Sequence, residues 1–483
     1  MRKFLFFSLI SLLFVVACNK TPERIYIIST NDIHATIDAM PELATLVKSY
    51  ETEGEVILVD SGDRVSGNAY VDDAAESGMP IIELMNAVGY DLVTVGNHEF
   101  DKGSETLATM IRGSEFEWLC ANAESAVEGV NFVPSKIISI AGVELGFVGV
   151  IATDNNGYPL GKRSAYEGIT FRNDLTTAVD ACQTIAQECD FVVLLSHMGL
   201  DQDRRLAEQT DACSWVAGGH SHDRLSQKHA NTHISQNNKN IRFITVATLD
   251  ILNEEIVNIE YEQIDMSEIE EDGAMRELVD RIKLSDPTLN EVVAHANADA
   301  TQTGVANLTV EALRSYPYPD GFEPEVVFYH YGGIRLSEIK EGDIRRVDIL
   351  NNDPFQSTIY IGEMTADQMA RFILDKYNSG TPENPDKESH YPYFRSNIPY
   401  QIVRGSEPEA KPDATSIELG LDPTRKYRVA MCNYIAESYI DPNIVKSQLR
   451  DTEISVREAL LGHVESLKES GYTPDNTLYQ TEL

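Results

Sequence analysis

Residues 24–34 read RIYIISTNDIH, an apolar run from Ile25 to Ser29 that stops abruptly in Asn31, Asp32 and His34. A continuous run with no polar alternation suits a strand buried on both faces, and strands of that kind belong to sheets covered by helices. The run recurs. Val56–Val59, Leu92–Val95, Leu145–Ile151, Phe191–Leu195, Trp215–Ala217 and Phe243–Val246 share its character, while Met79–Val88 and Leu175–Ala186 carry the spacing of amphipathic helices. The pattern predicts βα units over residues 24–262.

The residues at the end of each run carry more information than the run itself. Five runs end in Asn31-Asp32-Ile33-His34, Gly62-Asp63, Gly96-Asn97-His98-Glu99, Ser196-His197 and Gly218-Gly219-His220-Ser221-His222. Loops at the carboxyl edge of an α/β sheet converge, so residues scattered between positions 32 and 222 can meet in one cleft. One histidine after a strand is ordinarily a satisfied core or loop residue, and one Gly-Asp is a turn. Five ligand-bearing ends in the order DxH, GD, GNHE, SH, GHxH are not accounted for by independent turns. Carboxylate, imidazole and amide together make a mixed oxygen and nitrogen site suited to zinc, manganese or iron.

These residues resemble the calcineurin-like metallophosphoesterase domain. The longer segments IISTNDIH, ILVDSGD, VGNHEFDKG and GGHSH are similar to the 5′-nucleotidase family, a resemblance that covers most of the chain after its first residues. It implies an α/β (α+β) fold in which an αββα sandwich is followed by a second, smaller α/β substrate-binding domain. It also implies two divalent metal ions, zinc, manganese or similar, with Asp32, His34, Asp63 and His222 on one and Asp63, Asn97, His197 and His220 on the other, Asp63 being shared. Such a pair binds phosphate oxygens, lowers the pKa of a bound water and offsets charge on attacking and leaving oxygens. An imidazole beside the metals but not ligating them can protonate the leaving alkoxide. The resemblance assigns that part to His98, with Asp101, three residues on, fixing its tautomer.

Around Met266–Val293 the composition turns charged and helix-favouring with no strand-like run, so residues 263–297 are expected to form a linker helix before a second domain at 298–483. Glu325–Phe328 and Lys426–Met431 are its clearest strands, and Thr381–Pro392 reads as a surface loop rich in proline and charge. Tyr331-Gly332-Gly333-Ile334-Arg335 resembles the family's GGIR segment, whose arginine contacts substrate; the guanidinium fork of Arg335 suits phosphate or ribose oxygens. Phe355 and Tyr434 resemble the positions of two base-stacking aromatics. The chain also departs from the family's pattern. His330 and Tyr331 stand where an Asn usually precedes the two glycines, Ser438–Asp441 replaces a Gly-Gly-Asp-Gly run, and His295–Ala300 offers no arginine for phosphate. The reaction type is therefore read more firmly than the substrate.

At 483 residues the chain exceeds one ordinary core, and 42% hydrophobic with 24% charged residues is the balance of a folded globular protein. A formal net charge of -38 excludes a nucleic-acid polymer as partner, because neutralising phosphates needs clustered Lys and Arg. Met1, Arg2 and Lys3 lead into an apolar run from Phe4 to Val16 ending in Ala17-Cys18, which is read as a secretion signal over residues 1–18. Its end resembles a bacterial lipobox, implying that Cys18 is acylated and tethers the chain to a membrane. Of the other cysteines, Cys182 and Cys189 share a helical face two turns apart, beyond disulfide reach, and buried thiols are expected. The expected function is hydrolysis of nucleoside 5′-monophosphates outside the cytoplasm. The alternatives are a cyclic-nucleotide phosphodiesterase or nucleotide-sugar hydrolase, and a nucleotide-binding surface lipoprotein without turnover.

Overall fold

A computed structural model describes residues 21–355, 357–380, 394–404, 414–423 and 425–482. The expected signal segment with Cys18 and the expected loop at Thr381–Pro392 lie outside these residues.

The opening run forms β1 (Glu23–Thr30), followed by β2 (Glu55–Asp60), β3 (Leu92–Thr94) and β4 (Glu117–Leu119), while β5 (Ala123–Ser125) starts a small ribbon. Next come β6 (Ser135–Ile140), β7 (Val143–Ile151), β8 (Ile169–Phe171), which closes that ribbon, and β9 (Phe191–His197). After β10 (Trp215–Gly218), β11 (Arg224–His229) and β12 (Thr232–Asn237), the chain returns through β13 (Phe243–Leu252) and β14 (Glu255–Asp265). Two six-stranded sheets result, ordered β14-β13-β1-β2-β3-β4 and β11-β12-β10-β9-β7-β6. Within them β1, β2, β3 and β4 run parallel to one another, as do β7, β9 and β10.

The sheets lie face to face, which explains the unalternating runs. Ile25 and Ile27 of β1 join Ile57, Val59, Phe147, Val193, Leu195 and Trp215 in the layer between the sheets. Tyr26 and Ile28, on the other face of the same strand, pack with the helices α1 (Met40–Glu51), α2 (Ala69–Asp72), α3 (Met79–Val88) and α4 (Ser104–Gly113). The second sheet's outer face, including Val148, Val192, Leu194 and Val216, is covered by α5 (Asp174–Ile185) and α6 (Leu200–Gln209). The order of layers is helix, sheet, sheet, helix, the sandwich implied by the family resemblance.

Strands with polar outer faces carry no apolar run to mark them: neither β14 nor β11 holds a buried residue. The stretch expected as one linker helix is more divided. Only α7 (Gly273–Ser285) is α-helical, with short 3-10 turns at Met266–Glu268 and Pro287–Asn290, and its Met275, Val279 and Ile282 are buried in the α1 and α3 core of the first domain. Val292–Ala296, where no strand is expected, is a strand paired antiparallel with Gly342–Arg345. Its five residues are too few to register against the charged background.

The second domain is built on one core around a five-stranded sheet containing Val326–Tyr329, Thr358–Thr365, Arg395–Ser396, Lys426–Cys432 and Leu449–Ser455. Helices Gln302–Ser315 and Val456–Ser466 contribute Leu308, Leu313, Leu460 and Val464 to that core. It meets the first domain where Val347 enters that domain's core and through polar ties, Ala69 N to Asn351 Oδ1 and Arg457 Nη1 to Asp73 Oδ2, both at 2.7 Å, while Tyr70 Oη donates to Asn290 Oδ1 of the linker at 2.6 Å.

Candidate metal centre

Every one of the five expected ligand loops leaves the carboxyl end of a strand, β1, β2 or β3 in the first sheet and β9 or β10 in the second. The loops are laced together by backbone hydrogen bonds, Asp32 N to Gly62 O at 2.9 Å, His34 N to Asp63 O at 2.9 Å and Ala35 N to Arg64 O at 2.8 Å. The sheets are joined at the same level, where Ser61 Oγ donates to Ala217 O and His197 Nδ1 to Ser61 O, both at 2.7 Å. Asp32, His34, Asp63, His220 and His222 all have left-handed φ, between 47° and 74°. L-residues pay about 1–3 kcal/mol each for such conformations and keep them only where surroundings over-determine the backbone. Glycine makes room beside them: a Cβ on Gly96 would come 2.2 Å from Asp63 Oδ1, and one on Gly219 would come 3.0 Å from Asp32 Oδ2.

The side chains gather into two groups. Asp32, His34 and His222 form one, Asp63, His197 and His220 the other, with the ligand atoms of each within 4.8 Å of one another. In the first, His222 Nε2 lies 3.3 Å from Asp32 Oδ1 and 3.1 Å from His34 Nε2. In the second, His197 Nε2 lies 3.0 Å from Asp63 Oδ2. His34 Nδ1 donates to Ser66 O at 3.2 Å. Burial, then the charges of Arg335 and His222, hold His34 well below its ordinary pKa. It is therefore neutral with an Nε2 lone pair turned into the group. His220 is pushed down to about 4 by burial and by His197. Burial opposes the charge of Asp63, but His197 and His98 outweigh it and keep the carboxyl well below its usual range.

This donor set fits divalent cations. Two deprotonated carboxylates face imidazole nitrogens, and the buried Asn97 Oδ1 has no hydrogen-bond partner among the described residues. Orphaned buried acceptors of this sort are costly unless an ion or water satisfies them.

His98 stands beside the groups, partly exposed, with Nε2 3.9 Å from Asp63 Oδ2 and Nδ1 donating to Asp101 Oδ2 at 2.7 Å. Burial would lower its pKa, but the carboxylates of Asp63 and Asp101 push it up to about 9. From the second domain, the Phe355 ring approaches His98 with centroids 5.7 Å apart, and the Arg335 guanidinium sits 5.4 Å from that ring. Tyr434 is placed differently. It packs against His330, centroids 4.5 Å apart, and shares a hydroxyl contact of 3.2 Å with Tyr439. Arg335 and Phe355 are thus brought to the metal groups, while Tyr434 belongs to a separate aromatic cluster built from the residues that depart from the family pattern.

Several supporting contacts escape a reading of the sequence. Glu99, 1% exposed, accepts from three backbone amides, Asp63 N at 3.0 Å, Arg64 N at 2.7 Å and Gly96 N at 2.6 Å, so its carboxylate pins the β2 loop to the β3 loop. Ser66 Oγ donates to Asp101 Oδ2 at 2.6 Å while its carbonyl orients His34. Arg64, fully buried, pairs with Asp60 at 3.0 Å and lies over the Trp118 ring. Glu99→Gln turns an amide donor toward at least one of the three backbone donors. The expected cost is about 2–5 kcal/mol, read as a lowered thermal midpoint of the metal-free protein; an unchanged midpoint would refute the pinning role.

The fold and this ligand constellation define a calcineurin-like phosphoesterase domain, and residues 25–224 match that family. Residues 283–440 match the 5′-nucleotidase C-terminal domain. With both domains in that order, the chain belongs to the 5′-nucleotidase family. It is 24% identical over 467 residues to the trifunctional nucleotide phosphoesterase protein YfkN of Bacillus subtilis, covering 85% of this chain and 31% of that protein. It is 25% identical over 387 residues to endonuclease YhcR of the same organism, covering 69% of this chain and 31% of that one. The chain thus spans about a third of the length of these relatives. The crystal structure of a 5′-nucleotidase precursor from Thermus thermophilus shares the fold, with a TM-score of 0.77 at 19% identity over 95% of this chain and 99% of that one.

Proposed function

We propose that the chain is an exported, metal-dependent phosphohydrolase that cleaves nucleoside 5′-monophosphates to nucleoside and phosphate. The observation that carries this reading is the placement of an unliganded His98, held by Asp101, beside two adjoining three-residue metal groups. Asp32, His34 and His222 would hold one cation, and Asp63, His197, His220 and the orphaned oxygen of Asn97 the other. Bound there, the cations supply a deprotonated water near neutral pH and offset phosphate charge. The chain's own residues do the rest. Arg335, from the second domain, offers its guanidinium fork to phosphate or ribose oxygens. Asp101 takes the Nδ1 hydrogen of His98, so the Nε2 proton is the one given to the leaving oxygen.

The aromatic cluster favours a second reading of substrate, not of chemistry. With Tyr434 packed on His330 and Tyr439, the base-binding surface differs from a simple pair of stacking rings. That supports cyclic nucleotides or nucleotide sugars as the alternative.

The test is phosphate release by residues 19–483 against nucleoside monophosphates, cyclic nucleotides, nucleotide sugars and an aryl phosphate, with and without manganese or zinc. Cleavage of monophosphates that requires metal is expected, and Arg335→Ala should raise KM about 10- to 100-fold with a smaller change in kcat. Reaction of the diesters or the aryl ester alone would overturn the substrate. We propose also that an acyl group on Cys18 anchors the protein to a membrane; Cys18→Ala should then shift it from the membrane to the soluble fraction, and retention on the membrane would refute the anchor.

A further inference from the structure

The three imidazoles contributed by the second sheet are tied together by one buried side-chain network. Gln236, near the end of β12, and Asp203, on α6, are both 0% exposed. Gln236 Oε1 accepts from Ser221 Oγ at 3.0 Å and from Asp223 N at 3.1 Å, while its Nε2 lies 3.1 Å from Gly219 O and 3.3 Å from Asp203 Oδ2. A single amide thus holds the loop that carries both His220 and His222, one from each metal group. Asp203 extends the grip to the neighbouring strand: its other oxygen accepts from Ser196 Oγ, and Ser196 directly precedes His197 and accepts from Met198 N at 3.2 Å. The fit leaves no slack, since a Cβ on Gly218 would meet Asp203 Oδ2 at 2.5 Å and Gln236 Cγ at 3.0 Å.

An amide can do this where a carboxylate cannot, because it donates on one side and accepts on the other. The loop needs such support: His220 and His222 both sit at left-handed φ, 74° and 55°, and nothing in their own sequence favours it. We infer that Gln236, backed by Asp203, is a positioning residue that fixes the spacing of His197, His220 and His222 and thereby sets how tightly the chain holds cations at both positions. The inference rests on the metal reading given above. Partners of this kind, one step removed from the ligands, ordinarily govern affinity by about 10- to 100-fold.

The test is manganese binding by the metal-stripped protein, residues 19–483, followed by calorimetry, beside the thermal unfolding of the same metal-free samples. Wild-type protein should take up two ions. Gln236→Met, which fills the space without polar contacts, and Gly218→Ala, which displaces Asp203 from the other side, should both weaken uptake about 10- to 100-fold while retaining a cooperative metal-free transition. Wild-type affinity in Gln236→Met would overturn the proposal. Where that variant does not fold, Ser221→Ala, which deletes the bond to Gln236 together with one accepted from Leu200 N at the start of α6, decides: weakening by several-fold supports the clasp, and unchanged binding refutes it. Failure of the wild-type protein to bind manganese would bring down the metal reading, and the clasp with it.

Discussion

Asp63→Asn is expected to lower kcat/KM for a nucleoside monophosphate by about three orders of magnitude or more, with loss of bound metal. Asp63 touches both a metal group and the proton donor. Its Oδ2 lies 3.0 Å from His197 Nε2 and 3.9 Å from His98 Nε2, and its Oδ1 accepts from His98 N at 2.9 Å. Asparagine has the same outline but no charge, and it presents a donor where the site needs a second acceptor. It would at once weaken the one carboxylate of its metal group and withdraw the carboxylate that most strongly raises His98. Metal content by elemental analysis and steady-state kinetics check this together; activity within tenfold of wild type would show that Asp63 is not central.

His98→Ala should separate proton delivery from metal binding. A lost general acid costs about 10²- to 10⁴-fold, and since His98 belongs to neither three-residue metal group, metal content should be unchanged. The loss should depend on the leaving group. A nucleoside hydroxyl leaves as a strongly basic alkoxide and needs the proton, whereas a nitrophenolate does not, so the variant should be impaired far less on the aryl ester. Equal losses on both substrates would place His98 in binding or structure instead.

The candidate ligands were legible because chemistry restricts them: only a few residue types hold a cation, and strand ends are easily found from apolar runs. Buried strands were legible for the same reason, since strands such as Phe191–His197, buried along their whole length, cannot be hidden, whereas the stacking of two sheets was implied only by the family resemblance. What could not be read are the residues that act through geometry alone. Gln236 sits at the end of a six-residue strand of mixed polarity, and Ser66 is one serine among many; neither has a type or spacing that marks it. Glu99 was visible within the GNHE motif, yet its three contacts to backbone amides exist only once the β2 and β3 loops are adjacent. Tyr434 shows the opposite limit. A motif position located it, but its surroundings are set by His330 and Tyr439, which the same motif does not share.

The two metal groups also bear on how the first domain coheres. Asp32 and His34 come from one sheet and His222 from the other; Asp63 comes from one and His197 and His220 from the other. A cation held at either group would therefore act as a rivet through the sandwich, seated only after the two layers have met. Anything that binds the packed state alone stabilises it by mass action, about 2.7 kcal/mol at a hundred times the dissociation constant. Two ions so held would brace the same seam, so a chelator is expected to lower the thermal midpoint of this domain as well as silence the site, with the apolar layer between the sheets keeping it folded.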